Sequence, residues 1–183
     1  MKQDEWLVEV DHNDNVVGRV ERKVAHDPTH LRLHREVMVL IFTDKSKNHY
    51  WLQKRSLKKD QYPGFWTLSA TGHVEVEDGE DENGYLVAAK RETMEEMGLI
   101  LINEKLVGKT EQKQNINWVM MGVVVGEAMG DIKIDENEVS EVRVFDLKSV
   151  KEISDKLTPN AQASLEYLNI MRRSYEKSDG SST

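Results

Sequence analysis

Residues 91–99, which read RETMEEMGL, carry three glutamates at helical spacing. Positions i, i+3 and i+4 lie on one face of an α-helix, so Glu92, Glu95 and Glu96 are predicted to point toward one spot. Three carboxylates held together repel each other unless positive charge lies among them. Mg²⁺ and Mn²⁺ prefer oxygen ligands and are commonly shared with substrate phosphates, so the cluster predicts a divalent-metal site.

The flanks of this cluster favour a site over an ordinary charged surface. Exposed glutamates are common on helices, because Glu is a good helix former and pairs locally with neighbours such as Lys90 or Arg91. Gly98, however, is typical of a helix end, since glycine readily adopts the left-handed conformation. An apolar stretch, Gly72 and an acidic loop come before the cluster. We therefore predict a strand, a loop and a helix over residues 84–97.

Residues 72–99 resemble the box of the Nudix hydrolases, written G-x5-E-x7-R-E-U-x-E-E-x-G-U, in which U is a bulky aliphatic residue. Thr93 stands at one of the aliphatic positions. The resemblance implies a metal-dependent hydrolase with Mg²⁺ or Mn²⁺ as its cofactor. The matching positions are Gly72, Arg91, Glu92, Glu95, Glu96, Gly98 and Leu99.

The box departs from the family pattern in one place. The pattern sets Gly and Arg 14 positions apart, whereas Gly72 and Arg91 are 19 apart, an excess of five. Residues 77–84 are rich in turn formers, and loops absorb insertions at small cost, so we expect a longer loop before the helix. The acid that replaces the first Glu of the box stays open among Asp78, Glu80 and Glu82.

The resemblance also implies a role for each residue of the box. Glu95 and Glu96 are the implied metal ligands, and Glu92 is a ligand or the general base. Arg91 is implied to fix the carboxylates by bidentate pairing rather than to contact substrate. Gly72 allows the backbone to approach the metal, so its carbonyl is an additional candidate ligand.

Further candidates lie outside the box. Arg55, with Lys54 as the alternative, matches a basic residue that often contacts substrate phosphates in the family. Glu138 lies in a segment resembling a later strand of the family, where an acid completes the metal site or serves as the base, and Glu141 is the alternative. Each of these four residues could equally be an ordinary charged residue of the surface, so the geometry of the folded chain must decide between a functional role and a surface position.

The N-terminal half is similar to type I isopentenyl diphosphate isomerases, which share the Nudix fold. His26, His34 and His73 match three histidines that hold a metal in those enzymes, so a metal site at these residues is conceivable. The isomerases also use a Cys before the Gly-His pair and a Glu on a later strand as acid and base. Thr71 replaces the Cys, and residues 117–121 contain no carboxylate. We therefore reject isomerase activity and retain the fold relationship.

Periodicity along the chain predicts mixed secondary structure. Alternating apolar residues predict an N-terminal β-hairpin over about 6–22, and residues 50–55 read as the partner strand of 37–42. Further strands are predicted over 65–74, 101–110, 118–126 and 139–145, and further helices over 147–156 and 159–175. Together with the resemblance, this order predicts an α/β (α+β) fold, a Nudix-type α/β/α sandwich with a mixed β-sheet.

Composition bounds the remaining expectations. With 183 residues, 38% of them hydrophobic, we expect one domain over residues 1–177 and a disordered polar tail over 178–183. The formal net charge of −8 argues against a nucleic-acid surface. We find no cysteine, no signal-like N-terminus and no apolar stretch of membrane-spanning length, so we expect a cytoplasmic protein. The edge of the hairpin could pair with a second copy to form a homodimer.

Two functions follow as alternatives. The first is hydrolysis of a diphosphate linkage in a nucleoside diphosphate derivative or a related small molecule, by water activated between metal ions and a carboxylate. The second is a catalytically inactive module that keeps the isomerase-like fold and binds nucleotide or diphosphate. The five extra residues in the box are the feature that keeps the second alternative open.

Overall fold

The computed structural model describes residues 5–114 and 116–178, so residues 179–183 of the predicted disordered tail lie outside the described residues. The strands are β1 (Trp6–Val10), β2 (Val16–Glu21), β3 (His34–Ile41), β4 (Tyr50–Arg55), β5 (Trp66–Thr67), β6 (Ala70–His73), β7 (Ile100–Gln114), β8 (Asn117–Met129) and β9 (Val139–Phe145). The helices are α1 (Arg22–Ala25), α2 (Gly84–Met97), α3 (Leu147–Lys151) and α4 (Pro159–Ser178).

A mixed sheet of six strands forms the centre of the molecule. Its order is β2-β1-β3-β8-β7, and β6 pairs with β3. β3 and β8 run parallel, with His34 opposite Val119 and Ile41 opposite Gly126. Every residue of β3 is buried, which accounts for its near-continuous apolar run. The structure confirms the predicted mixed sheet, and the pairing of β1 with β2 confirms the predicted N-terminal hairpin.

A second sheet, of three strands, corrects two of the predictions. β4 lies between β5 and β9, so the predicted pairing of 50–55 with 37–42 is wrong; Phe42 and Tyr50 form an isolated bridge instead. The predicted single strand over 65–74 is also wrong, because it divides into β5 and β6, which belong to different sheets. Ser69 lies at the break, where its hydroxyl accepts from the Ile41 N–H and donates to the Trp51 carbonyl.

Helix α2 covers the predicted span 84–97 and packs on one face of the six-stranded sheet. Its buried residues join the core with alternate residues of β3, including Val37 and Val39. The Thr93 hydroxyl donates to the Ala89 carbonyl, which satisfies a polar group that is fully buried at an otherwise aliphatic position. The helix ends at Gly98, whose φ of 69° is left-handed as predicted.

The opposite face of the sheet is covered by the second sheet and α4. Met38 and Leu40 of β3 join a core with Ala161 and Leu165 of α4. α4 begins at Pro159 as predicted, after Thr158, whose hydroxyl accepts from the Ala161 N–H at 3.3 Å. These layers confirm the predicted α/β/α sandwich.

One helix near the C-terminus is shorter than predicted. The predicted helix over 147–156 is too long, because α3 ends at Lys151 and Ser154–Lys156 forms a separate 3-10 turn.

Among residues 5–114 and 116–178, no helix combines the length and apolar character needed to cross a bilayer. β2 is an edge strand with Val17 61% exposed, and the predicted homodimer through this edge stays a prediction.

Candidate functional site

Arg91 links α2 to the chain that precedes it. Its guanidinium donates to both carboxylate oxygens of Asp78 at 3.0 and 2.7 Å, to Glu92 Oε1 at 2.6 Å and to the His73 carbonyl at 2.9 Å. Glu75 Oε1 lies 3.3 Å from the same group. The bidentate pairing of Arg91 is with Asp78 of the loop, whereas Glu92, one of the carboxylates that Arg91 was predicted to fix, receives a single hydrogen bond. These contacts hold the loop and the helix together.

Asp78 is the acid that takes the place of the first Glu of the box. Its carboxylate is buried, pairs with Arg91 and accepts from the Glu75 N–H at 2.9 Å. Glu80 offers its carbonyl to Arg35, and Glu82 forms an ion pair with Lys109. The extra residues are therefore 79–83, which follow Asp78 and leave its contact with Arg91 intact.

Glu92 lies directly against Gly72. A Cβ atom at Gly72 would overlap the Glu92 carboxylate, so the absence of a side chain there makes room for the acid. Burial, followed by the negative charges of Glu96 and Glu95, raises the pKa of Glu92 to about 8, although Arg91 opposes this. Glu92 is thus a largely buried carboxyl group, with a side chain 13% exposed, and a nearby cation would favour its ionisation.

Glu96 is more deeply buried, at 4% exposure. One of its oxygens, Oε2, accepts from Gln53 Nε2 at 2.8 Å and from the Thr71 N–H at 2.9 Å. Burial raises the pKa of Glu96 to about 7, while these hydrogen bonds and the charges of Lys59 and Arg55 oppose the rise. Gln53 Oε1 is buried without a partner among the described residues. Buried acids beside an unsatisfied oxygen fit a hard divalent cation.

Glu95 is placed differently from the other two glutamates of the helix. Its side chain is 44% exposed, and Oε2 lies 3.7 Å from Arg91 Nη1. Among the described residues, the only group of three potential metal ligands whose donor atoms all lie within 4.8 Å of one another is His26, His34 and His73. The three glutamates of the helix therefore do not form such a group. The predicted convergence of three carboxylates is therefore looser than expected: Glu92 and Glu96 form the buried part and Glu95 the rim.

The two basic candidates on β4 have different surroundings. Arg55 lies near Glu96, because its positive charge lowers the pKa of Glu96, whose carboxylate also accepts from the Gln53 amide. Lys54 instead has its amine 5.9 Å from the centre of the Trp66 ring. The geometry thus favours Arg55 over Lys54 as the basic residue of this site.

The two acidic candidates near β9 also separate. Glu138 forms an ion pair with Lys59, whose charge acts on Glu96, so Glu138 lies at the edge of the glutamate site. Glu141 pairs with Arg143 and lies opposite Lys54 in the β4–β9 ladder, on the face away from Glu96. Glu138 therefore remains the candidate additional ligand, and Glu141 does not.

The three histidines form a second cluster. Their ring centres lie 5.1 to 5.2 Å apart, and Nε2 of His26 is 3.3 Å from Nε2 of His34. His34 Nδ1 contacts the Arg32 carbonyl at 2.8 Å, and His73 Nδ1 contacts Glu5 Oε1 at 2.9 Å. Because a proton on each Nδ1 satisfies these acceptors, both Nε2 atoms keep a lone pair for a metal.

Electrostatics also suit this triad to a metal ion. Burial lowers the pKa of His26 to about 4 and that of His34 well below its ordinary value, so both rings stay neutral near neutral pH. Burial works against ionisation of Glu5, yet His73 and Arg22 together lower its pKa to about 2. Neutral imidazoles backed by a carboxylate are the usual environment of a histidine-bound metal.

The family model described as the NUDIX domain matches residues 32–168, well over half of the chain. The chain belongs to the Nudix family. In this Nudix chain the box departs from the pattern by five extra residues, by Asp78 in place of its first Glu and by Thr93 at an aliphatic position, and the match extends beyond the box to β3 and α4.

Several relatives of this Nudix chain are known. It is 28% identical over 177 residues to Isopentenyl-diphosphate Delta-isomerase II of Camptotheca acuminata, covering 92% of this chain and 52% of the relative. DR0079 of Deinococcus radiodurans superposes with a TM-score of 0.66 at 20% identity, covering 92% of this chain and 98% of that chain. A MutT protein from Methanosarcina mazei Go1 gives 0.62 at 19% identity, covering 76% and 95%.

These similarities show the fold of the chain and its family. The two solved structures share the fold of this Nudix chain, and at such identities they show the fold alone. The chain spans about half the length of the curated relatives it matches. Several of the curated relatives are named as isopentenyl diphosphate isomerases, in agreement with the similarity to that family noted from the sequence.

Two residues of the glutamate site, Gln53 and Lys59, were not predicted from the sequence of this Nudix chain. Gln53 is a neutral amide in an apolar strand, and nothing in its sequence context marks it as a partner of Glu96. Lys59 is one of several lysines in a polar loop, and only the fold places it beside Glu138.

A prediction concerns metal binding by the triad. We expect the metal-free protein to bind about one equivalent of Co²⁺ or Zn²⁺ there, and His26→Ala to weaken binding by more than about 10-fold, because a ligand is lost. Glu5→Gln should weaken it by about 10- to 100-fold, because His73 loses its orienting carboxylate. Calorimetry and the visible Co²⁺ spectrum measure both effects.

His30→Ala is the matched control for this prediction. His30 lies in the same segment but is exposed and contacts Thr29, so its loss should leave binding unchanged. Equal affinity in wild type, His26→Ala and His30→Ala would rule out the triad as a metal site.

A second prediction concerns stability and pH. The folded-state pKa values of Glu92 and Glu96, about 8 and about 7, lie above the ordinary value of 4.5. The folded state therefore binds more protons in this window, and stability falls as pH rises through it. In EDTA, we expect wild type to lose about 1–3 kcal/mol of unfolding free energy relative to Glu92→Gln between about pH 5 and pH 8. Urea unfolding at each pH measures this, and parallel profiles for the two proteins would contradict it.

Proposed function

We propose that this Nudix protein hydrolyses a diphosphate linkage in a nucleoside diphosphate derivative or a related small molecule, with Mg²⁺ or Mn²⁺ held by Glu92 and Glu96. The observation that carries the proposal is the pair of buried carboxyl groups on α2, packed against Gly72 and the Thr71 amide, with raised pKa values and two basic residues nearby. Buried like charges of this kind are stabilised by a divalent ion.

The proposed metal ligands divide into inner groups that are largely buried and outer groups at the edge of the site. Glu92 and Glu96 would supply the inner carboxylates, Glu95 and Glu138 the outer ones, and the Gly72 carbonyl a further oxygen. A bound divalent ion supplies neutralisation of charge on the diphosphate oxygens and a lower pKa for the attacking water.

The side chains of the protein supply the remaining chemistry. Glu92 lies in contact with Arg91, which fixes its orientation, so its carboxylate is positioned to accept a proton from the attacking water. Arg55 is oriented by its hydrogen bond to the Gln61 carbonyl at 2.9 Å and places positive charge near Glu96. Arg55 and Lys59 are therefore suited to bind phosphate oxygens beside the metal.

The alternative is an inactive module that binds nucleotide or diphosphate. The five extra residues in the box favour it in sequence, but residues 79–83 follow Asp78 and leave the contact between Asp78 and Arg91 in place. This position of the insertion supports the hydrolase over the module.

A substrate panel separates the two functions. The protein is incubated with nucleoside diphosphate derivatives and Mg²⁺ or Mn²⁺, and phosphate release is measured after coupling to a phosphatase. We expect turnover of at least one member and none in EDTA. A flat panel combined with measurable ligand binding would overturn the hydrolase and support the module.

A further inference from the structure

We propose that Glu36 and Asn117 form a recognition site for a part of the substrate that carries adjacent O–H or N–H donors. The inference rests on the proposed function, because it names the chemistry of the group attached to the diphosphate. It concerns residues of β3 and β8 that lie outside the box and outside both candidate metal clusters.

Glu36 lies beside the histidine triad, on the face of the sheet that α4 covers and opposite the face on which α2 packs. It is directly opposite His73 in the antiparallel β3–β6 ladder, and His34 lies two residues before it on the same face of β3. The next pair on that face is Met38 opposite Thr71, whose N–H donates to Glu96. Opposed side chains in such a ladder are neighbours, so Glu36 adjoins His73, and a ligand bound at Glu96 reaches Glu36 by extending across β6 past Thr71.

The Glu36 carboxylate is held by neutral amides. Asn117 Nδ2 donates to Oε2 at 3.0 Å, and Asn160 Nδ2 donates to Oε1 at 2.8 Å. Behind Asn160, Gln114 Nε2 donates to the Asn160 oxygen at 2.6 Å, and the Tyr62 hydroxyl donates to Gln114 Oε1 at 2.8 Å. Every donor in this chain points toward the carboxylate, which fixes the orientation of each amide.

The network leaves acceptors without donors. Asn117 is 8% exposed, and its Oδ1 is buried with no hydrogen-bond partner in the described part of the chain. Glu36, also 8% exposed, has accepted two hydrogen bonds, whereas two carboxylate oxygens can accept about four. A buried acceptor without a donor is costly, so a ligand that supplies donors here gains affinity.

This arrangement selects the class of substrate. An apolar tail placed against Glu36 and Asn117 would leave their oxygens unsatisfied and would be rejected. A group with two adjacent donors would satisfy both residues. The hydroxyls of a ribose and the amino-substituted edge of a base both offer such donors, so the shared chemistry is a pair of neighbouring hydrogen-bond donors.

The test measures binding, so its result does not depend on turnover. Dissociation constants are determined by calorimetry, with Ca²⁺ in place of Mg²⁺, for the common ribonucleoside diphosphates, their 2′,3′-dideoxy counterparts, inosine diphosphate and isopentenyl diphosphate. We expect the tightest ribonucleoside diphosphate to bind about 10- to 100-fold more tightly than isopentenyl diphosphate. In Glu36→Gln and Asn117→Ala this ratio should fall to within about 3-fold.

Controls separate recognition from a structural role. Tyr62→Phe removes only the hydroxyl at the far end of the chain of hydrogen bonds and should keep the wild-type ratio. Weaker binding of the dideoxy compounds would identify the ribose as the donor group, and weaker binding of inosine diphosphate than of amino-bearing bases would identify the base. Melting temperatures report whether each variant is folded.

Two outcomes overturn the inference. One is equal affinity of wild type for isopentenyl diphosphate and every nucleoside diphosphate, and the other is an unchanged ratio in both folded variants. If the ratio behaves as expected but no diphosphate is hydrolysed, the hydrolase assignment fails and the recognition site stands. If hydrolysis occurs without any preference in binding, the recognition site fails and the hydrolase assignment stands.

Discussion

Glu96→Gln is expected to lower kcat for diphosphate hydrolysis by about 10²- to 10³-fold and to leave the melting temperature at or above that of wild type. Activity falls because the site loses a buried charge where a metal ion and the reacting phosphates meet. Stability is retained because both hydrogen bonds to Glu96, from Gln53 and from the Thr71 amide, end on the same oxygen, which a glutamine oxygen can replace.

Initial rates at saturating substrate and thermal melts in EDTA measure the two parts of this prediction. Glu95→Gln at the rim should also reduce kcat. Glu152→Gln, an exposed acid beyond α3, is the matched control and should leave rate and stability unchanged. A Glu96→Gln enzyme that turns over at the wild-type rate would show that Glu96 is not a ligand.

Gly72→Ala should abolish most of the activity with little loss of stability. The new methyl group would occupy the space of the Glu92 carboxylate. Because that carboxylate is the far end of a flexible side chain, it can move aside, and β6 tolerates alanine. The displaced Glu92 is lost to the site, so we expect a fall in kcat of about 10²- to 10³-fold, similar to removal of the acid itself.

Gly18→Ala provides the matched control for this prediction. Gly18 is also a strand glycine, in β2, but a Cβ there would meet its nearest neighbour, Glu9 Oε2, at an ordinary 3.7 Å. We expect wild-type kinetics for Gly18→Ala. If Gly72→Ala retains full activity, Glu92 does not need its present position, and its assigned role fails.

Local patterns predicted the elements of this fold better than their pairing. α2 covers 84–97 as expected, because the helical spacing of its three glutamates and Gly98 are both local signals. The partner of β4 was predicted wrongly, because neighbours in sequence often pair and nothing in residues 50–55 marks β9 as the true neighbour. The break at Ser69 depends on hydrogen bonds to Ile41 and Trp51, which only the folded chain brings together.

The candidate site was predictable where spacing carries the information. The box predicted Gly72 in the same site as the helix acids, and Gly72 packs against Glu92, but the pairing of Arg91 with the loop acid Asp78 was not predicted from the sequence. Gln53 and Glu36 were not predictable, because their importance comes from strands that pair across long distances in sequence. The exposed position of Glu95 was also missed, since helical spacing sets the face of a residue but not its burial.

The central claim is that Glu92 and Glu96 hold a divalent ion, and Mn²⁺ binding tests it most directly. All proteins in this experiment carry His26→Ala, so that the histidine triad does not contribute to Mn²⁺ binding. Bound Mn²⁺ is counted by electron paramagnetic resonance in this background protein and in the same protein with Glu92→Gln and Glu96→Gln added. We predict a Mn²⁺ site in the background protein that is lost when both carboxylates are replaced. The same number of ions bound with the same affinity after both replacements would contradict the claim.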